Sequence, residues 1–151
     1  MPTVSGKKPI GLVDTNLLVY AHDLSSPFHN RAKTWLEKMI NQHQVVLSWQ
    51  NLLEFYAIIR DRKRCLRPLT AERAVNLMIE YTKEAIIIYP PARKKFDLGL
   101  KIFRRLKPKG AKIFDLSLAA EILASNLSVI YTVNVSDFKN IPGLKVANPL
   151  Q

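Results

Sequence analysis

Four short apolar runs punctuate the chain: Ile10-Gly-Leu-Val-Asp14, Val45-Val-Leu-Ser48, Ala85-Ile-Ile-Ile-Tyr89 and Ser128-Val-Ile-Tyr-Thr132. Their apolar character is continuous rather than alternating, as expected of strands covered on both faces of a sheet. A weaker run, Leu144-Lys-Val-Ala147, closes the series. Helical patterns with recognisable start signals lie between the runs. Ser26-Pro27 opens a segment to about Gln42, with proline at the first helical position, and Ser48 can cap Trp49 to about Lys63. Thr70 can open Ala71 to about Lys83, with Glu72 in the first turn where the helix dipole favours negative charge. Ala92 to Leu106 and Leu116 to Asn126 supply two more. Alternating strands and helices with no linker or repeat predict one α/β domain over residues 1–151, built on a central, mostly parallel sheet.

Composition narrows the class. At 151 residues and 48% hydrophobic, the chain can bury a core without covalent staples, which excludes disordered and fibrous architectures. Cys65 is the only cysteine, so an internal disulfide and a Cys-based zinc site are both excluded, and a reducing cytoplasm fits best. Met1 to Pro9 carries Lys7 and Lys8, but the apolar run behind them is broken by Asp14 before it reaches signal-peptide length. No stretch approaches the roughly 20 apolar residues that span a bilayer, so the reading is a soluble intracellular protein with no membrane partner. Lys and Arg number 23 against 12 Asp and Glu, a net charge of +11. An excess of this size points to a polyanionic partner, most often nucleic acid.

The twelve acids sort by whether water can solvate them. Glu37, Asp61, Glu72, Glu80, Glu84 and Asp97 have basic or polar neighbours within a helical turn, Asp23 lies in a turn, and Glu121 can point outward from its helix. Four remain in apolar surroundings, where a carboxylate is costly without a cation or donors. Asp14 ends the first apolar run, and Glu54 interrupts Leu52 to Ile59. Asp115 sits between Ile113-Phe114 and Leu116-Ser-Leu-Ala-Ala120, and Asp137 follows the fourth run. Each has an ordinary structural reading: Asp14 and Asp115 as helix caps, Asp137 as a turn residue, Glu54 in an ion pair. Topology favours a shared role. In a parallel sheet all strand carboxyl ends, and the starts of the helices that lead back, lie on one edge where ligands bind. All four acids fall on that edge, provided the two consecutive helices before the fourth strand leave Lys107 to Lys112 to carry the chain back to it. Close carboxylates repel unless a cation joins them, and an all-oxygen site selects Mg²⁺ or Mn²⁺ over zinc. A basic surface beside an acidic metal site describes a metal-dependent nuclease.

With these residues in view, the sequence resembles a PIN domain, specifically the small VapC-like toxin ribonucleases of toxin–antitoxin pairs. The likeness rests on Val13-Asp14-Thr15-Asn16, Glu54 in its apolar helix, Phe114-Asp115-Leu116-Ser117-Leu118-Ala119-Ala120, and Thr132-Val133-Asn134 followed by Asp137-Phe138. Ile141-Pro142-Gly143-Leu144 and Asn148-Pro149 extend it to the tail. The resemblance implies a three-layer α/β/α sandwich and an endoribonuclease in which Asp14, Glu54, Asp115 and Asp137 hold Mg²⁺ or Mn²⁺. Asp14 and Asp115 would be the firmest ligands, and Glu54 would orient the attacking water. Thr15, Asn16, Thr132 and Asn134 would hold the acids or the scissile phosphate by hydrogen bonds. It further implies a homodimer, silenced by a cognate antitoxin protein whose tail blocks the rim. A metal mechanism leaves a 3′-hydroxyl and a 5′-phosphate. Alternatives are an RNA-processing PIN nuclease that is not a toxin, and a non-catalytic RNA-binding PIN-like domain; DNA as substrate also stays open.

The remaining candidates carry less. His22, His29 and His43 lack metal-ligand spacing and read as solvated or capping residues, and Cys65 reads as incidental. Trp35, Trp49, Phe55 and Tyr56 have helical spacings that suit core or dimer packing better than base stacking. The charge itself is concentrated: Arg60 to Arg67 is net +4 and Arg93 to Lys112 is net +8. Arg62, Lys63, Arg64 and Arg67 in the first stretch, and Lys107, Lys109 and Lys112 in the second, are therefore expected to flank the acids as an RNA-gripping surface.

Overall fold

A computed structural model describes residues 8–151, so the reading of Met1 to Lys7 as no leader lies outside the described residues. All five apolar runs form strands: β1 (Gly11–Val13), β2 (Val45–Leu47), β3 (Ile86–Ile87), β4 (Val129–Tyr131) and β5 (Lys145–Ala147). They join in one sheet of order β3-β2-β1-β4-β5, with every neighbouring pair parallel. The three central strands are buried throughout, as continuous apolar character requires, whereas the edge strands β3 and β5 are partly exposed.

Six helices cover the sheet: α1 (Thr15–His22), α2 (His29–Asn41), α3 (Trp49–Ile59), α4 (Ala71–Glu84), α5 (Ala92–Leu106) and α6 (Lys112–Ala124); Val135–Phe138 adds a 3₁₀ turn. Side chains alternate across the central strands. Val13, Val45, Leu47, Val129 and Tyr131 pack with α1 to α4, while Leu12, Val46 and Ile130 face the core under α5, α6 and Phe138. The result is the expected three-layer α/β/α sandwich. Gly11 permits the close approach of β1 to β4: a Cβ there would lie 2.7 Å from the Tyr131 ring and 2.8 Å from Val129.

The boundaries show where local signals lose to tertiary packing. Helix α1 is not among the five helical segments read from the sequence, because Leu17, Leu18, Val19 and Ala21 are buried and present an apolar block with little amphipathic contrast. Helix α2 begins at His29 rather than at Pro27, with no side-chain cap, and α3 ends at Ile59, short of Lys63. Helix α6 starts at Lys112, one turn earlier than Leu116, so Asp115 lies inside its first turn and is not its cap. Glu121 does not point outward. It is 9% exposed and pairs with Lys95 at 2.7 Å, across the contact between α5 and α6.

That contact resolves the problem of two consecutive helices. Lys94 Nζ donates to Asn126 Oδ1, beyond the end of α6, and Gly99 faces Ala120, so α5 and α6 form an antiparallel hairpin. Helix α5 therefore ends beside the start of α6, closed by Lys107 in the left-handed conformation (φ 48°). Gly110 repeats that conformation (φ 58°) in the short loop. Lys107 to Ala111 already stands at the carboxyl edge of the sheet and has no distance to cover.

Candidate active site

The site is built where β1 and β4 end and α1, α3 and α6 begin. Asp14 follows β1 directly and caps α1, accepting from the Thr15 backbone N–H at 2.8 Å through Oδ1. Its other oxygen accepts from the Thr132 hydroxyl at 2.7 Å and from Asn16 Nδ2 at 3.4 Å. Thr132 is fully buried at the end of β4 and also accepts from Asn16 Nδ2 and from the Asn134 backbone N–H. The capping role read for Asp14 is thus real and takes only one of its two oxygens; the other faces the end of β4. Asn134 contributes through its backbone, and its exposed side chain makes no hydrogen bond to the acids.

Glu54 is held from two sides. Its Oε2 accepts from the Thr15 hydroxyl at 3.1 Å and its Oε1 from Gln50 Nε2 at 2.9 Å. Gln50 also donates to the Phe114 carbonyl at 3.0 Å, which ties α3 to the first turn of α6 next to Asp115. Beneath them, Asn51 is wholly buried: it donates to the Val13 carbonyl at 3.3 Å and to Thr15 Oγ1 at 3.4 Å while its Oδ1 accepts from Ser48. Gln50 and Asn51 were not singled out from the sequence. The signals were present, since Gln50 stands one helical turn before Glu54 and Asn51 stands three residues after Ser48 in capping-box spacing.

Electrostatics join the four acids. Burial chiefly pushes the Asp14 carboxyl up to about 6; hydrogen bonds from Thr132 and Thr15 oppose this, and the charges of Glu54 and Asp137 add to it. The half-buried Asp115 also rises to about 6, first by burial and then through Asp137 and Asp14, against the nearby Lys112 ammonium. Lys112 reaches over the site and donates to the Asp137 backbone carbonyl. Asp14 and Asp115 are thus each close enough to Glu54 and Asp137 for those charges to disfavour their ionisation. Among the described residues, no three His, Cys, Asp or Glu side chains are clustered tightly enough to enclose an ion as they stand. The donor set nonetheless suits a hard divalent cation. It is all oxygen, its charges are mutually repulsive, and the buried Asn16 Oδ1 lacks any hydrogen-bond partner.

The basic stretches divide. Lys107, Lys109 and Lys112 lie on the α5–α6 loop and the first residue of α6, beside Asp115. Arg62, Lys63, Arg64 and Arg67 do not flank the acids. They follow the far end of α3, about 16 Å along an eleven-residue helix from the rim. There the chain borders a cleft with His22, Asp23 and Ser25, at the opposite end of α1 from Asp14. His22 is not solvated either: its Nε2 lies 2.5 Å from the Tyr81 hydroxyl and its ring packs edge-on to Phe55 and Tyr81. Burial depresses its pKa to about 4, with the neighbouring His29 and Lys33 adding to the shift. Cys65 is buried.

A parallel α/β/α sandwich with a carboxylate cluster at its C-terminal edge is the class that fold and site define. The PIN domain profile matches residues 11–144, and the chain belongs to that family. Ribonuclease VapC48 of Mycobacterium tuberculosis is 26% identical over 141 residues, covering 90% of this chain and 94% of that protein. Ribonuclease VapC33 of the same species is 24% identical over 140 residues, covering 91% and 96%. Among solved structures, VapBC-1 from nontypeable Haemophilus influenzae aligns with a TM-score of 0.67 at 22% identity, over 93% of this chain and 98% of that one. VapBC2 from Rickettsia felis, bound to a promoter DNA fragment, aligns at 0.63 and 21% identity, over 91% and 96%. These structural likenesses support the fold.

Proposed function

We propose that this protein is a Mg²⁺- or Mn²⁺-dependent endoribonuclease, the toxin component of a VapBC-type pair, with Asp14, Glu54, Asp115 and Asp137 as its metal-holding acids. The observation that carries the reading is the pair of raised carboxyls at the rim, Asp14 and Asp115, each within electrostatic reach of Glu54 and Asp137, next to the basic loop that ends at Lys112. The ribonuclease names of its curated relatives favour RNA over DNA, and the VapBC neighbours favour an antitoxin protein as partner. A homodimer and a cytoplasmic location belong to the same proposal. Among the described residues no helix is long and apolar enough to cross a membrane.

When bound, a divalent cation supplies Lewis-acid activation of the attacking water and neutralises charge at the phosphate. The chain's own residues prepare for it. Thr132 and the Thr15 N–H orient the two Asp14 oxygens, while Gln50 and the Thr15 hydroxyl fix Glu54 so that it can orient a water. Lys112 and the lysines of the preceding loop place positive charge where the RNA backbone must pass.

The test is incubation of the purified protein with labelled RNA and with labelled DNA of the same sequence, in Mg²⁺, Mn²⁺ or EDTA, beside Asp14→Asn. Cleavage of RNA that needs the cation and is lost in the variant is the expected result. Cleavage surviving both chelation and Asp14→Asn would overturn the metal mechanism, and cleavage of DNA alone would overturn the substrate assignment.

A further inference from the structure

Lys112 stands where local energetics do not favour a cation. It is the first residue of α6, whose N-terminus has no side-chain cap, and the positive end of the helix dipole opposes an ammonium in the first turn. Charge density groups it with Lys107 and Lys109 as a grip on RNA. The three differ in place: Lys107 and Lys109 are exposed, whereas Lys112 is half-buried and its Nζ donates to the backbone carbonyl of Asp137. Lys112 also precedes Asp115 by three residues, so the two share a face of α6, and its charge reaches the Asp115 carboxyl. Among the described residues it forms no ion pair with any acid.

Asp137 is the acid that needs such a hold. The Asp14 and Glu54 carboxylates each accept from two or more donors, whereas among the described residues no hydrogen bond reaches the Asp137 carboxylate. It is therefore placed through its backbone alone. That backbone is a single 3₁₀ turn, Val135–Phe138, with no side-chain cap; the Asp137 N–H bonds back to the Asn134 carbonyl, and Phe138 anchors the far end in the core. Lys112 brings a charged donor from α6, the helix that carries Asp115, onto the carbonyl of this turn. We propose that Lys112 is a positioning residue of the metal site: by holding the Asp137 carbonyl it fixes the 3₁₀ turn against α6, so that the Asp137 and Asp115 carboxylates can take one ion together. The proposal rests on the metal-dependent nuclease reading above and deepens it. Groups that orient metal ligands set affinity without touching the metal. A bare charge effect has the opposite sign, since removing a cation beside a cation site tightens it.

The experiment titrates Mn²⁺ into the RNA-free protein and follows the free ion by electron paramagnetic resonance, for the wild type, Lys112→Met, Asp137→Ala and the double variant. Lys112→Met is expected to weaken Mn²⁺ binding about tenfold in the native background, and to leave it unchanged or tighter beside Asp137→Ala, where no carboxylate remains to be placed. The charge removed is the same in both backgrounds, so the difference between them reports positioning alone. Equal changes in the two backgrounds would overturn the proposal. Hydrogen exchange in EDTA gives a second reading that needs no metal: Lys112→Met should speed exchange across residues 134–139 while α1 and α3 keep their protection. Unchanged exchange in that segment would also overturn it. If the wild-type protein binds no Mn²⁺ the metal reading itself fails, a result distinct from equal changes in two backgrounds that both bind.

Discussion

Replacing Asp14 with asparagine should abolish cleavage and, in metal-free protein, stabilise the fold. The carboxyl titrates near pH 6 in the folded chain against 3.8 for the free group, so folding disfavours its ionised form. That difference corresponds to about 3 kcal/mol. For an acid raised in this way the penalty is absent below the unfolded value and complete above the folded one, so stability is lost as pH rises from about 4 to 6. Asparagine keeps an oxygen for the Thr15 N–H, so α1 keeps its cap, but its amide NH2 cannot accept from the Thr132 hydroxyl, which takes back about 1 kcal/mol of the gain. The raw pH profile of the wild type cannot serve as the measure. His22, depressed to about 4, gains stability over an overlapping range as pH rises towards 6.5 and offsets the Asp14 slope. The difference between variant and wild type cancels His22. Urea unfolding in EDTA should therefore give nearly equal stabilities at pH 3.5 and a variant more stable by up to about 3 kcal/mol at pH 7.5. Mn²⁺ at pH 7.5 should then stabilise the wild type and leave Asp14→Asn unmoved. A variant no more stable than wild type at pH 7.5 in EDTA would refute the claim that burial and like charge hold this carboxyl in a costly state.

Other consequences follow from neighbouring residues. Neutralising Lys107 and Lys109 together should make the logarithmic salt dependence of RNA binding shallower by about 1.4, whereas neutralising Arg62 and Arg64, at the far end of α3, should leave the slope unchanged. His22→Gln should remove the loss of stability that the wild type suffers as pH falls from about 6.5 to 4, read as thermal midpoints across that range. Gln50→Ala should lower kcat by about tenfold with little change in KM, because Glu54 loses one of its two side-chain donors while the binding surface stays intact. Gly11→Ala should destabilise by about 1–3 kcal/mol in denaturant unfolding, since the added methyl meets Tyr131 and Val129 below van der Waals distance.

Burial explains which parts of the molecule were legible in its sequence. The five strands and four of the six helices read correctly in place because each carries either a continuous apolar run or an amphipathic stripe. Helix α1 entered only as the helix that Asp14 could cap and was not read as a segment, because it is short and buried along most of its length, so its pattern is not that of a surface helix. Helix α6 was read a turn late because Asp115 imitates a cap before an apolar block. The acids announced themselves as charges without local partners; among the described residues Asp14, Glu54, Asp115 and Asp137 form no ion pair, whereas Glu121, read as solvated, pairs with Lys95 from another helix. Charge density could not say which basic run adjoins the site. Helix length and direction decide that, and they place Lys107 to Lys112 beside the acids and Arg62 to Arg67 away from them. Gln50 and Asn51 stayed hidden because neutral amides carry no electrostatic signature until their partners are known.

The chemistry of the cut ends tests the metal-dependent mechanism most directly. End-group analysis of RNA cleaved in Mn²⁺ should find 3′-hydroxyl and 5′-phosphate termini, with no product in EDTA. Recovery of 2′,3′-cyclic phosphate termini, with or without the cation, would contradict it, because they arise when the RNA's own 2′-hydroxyl attacks in place of water.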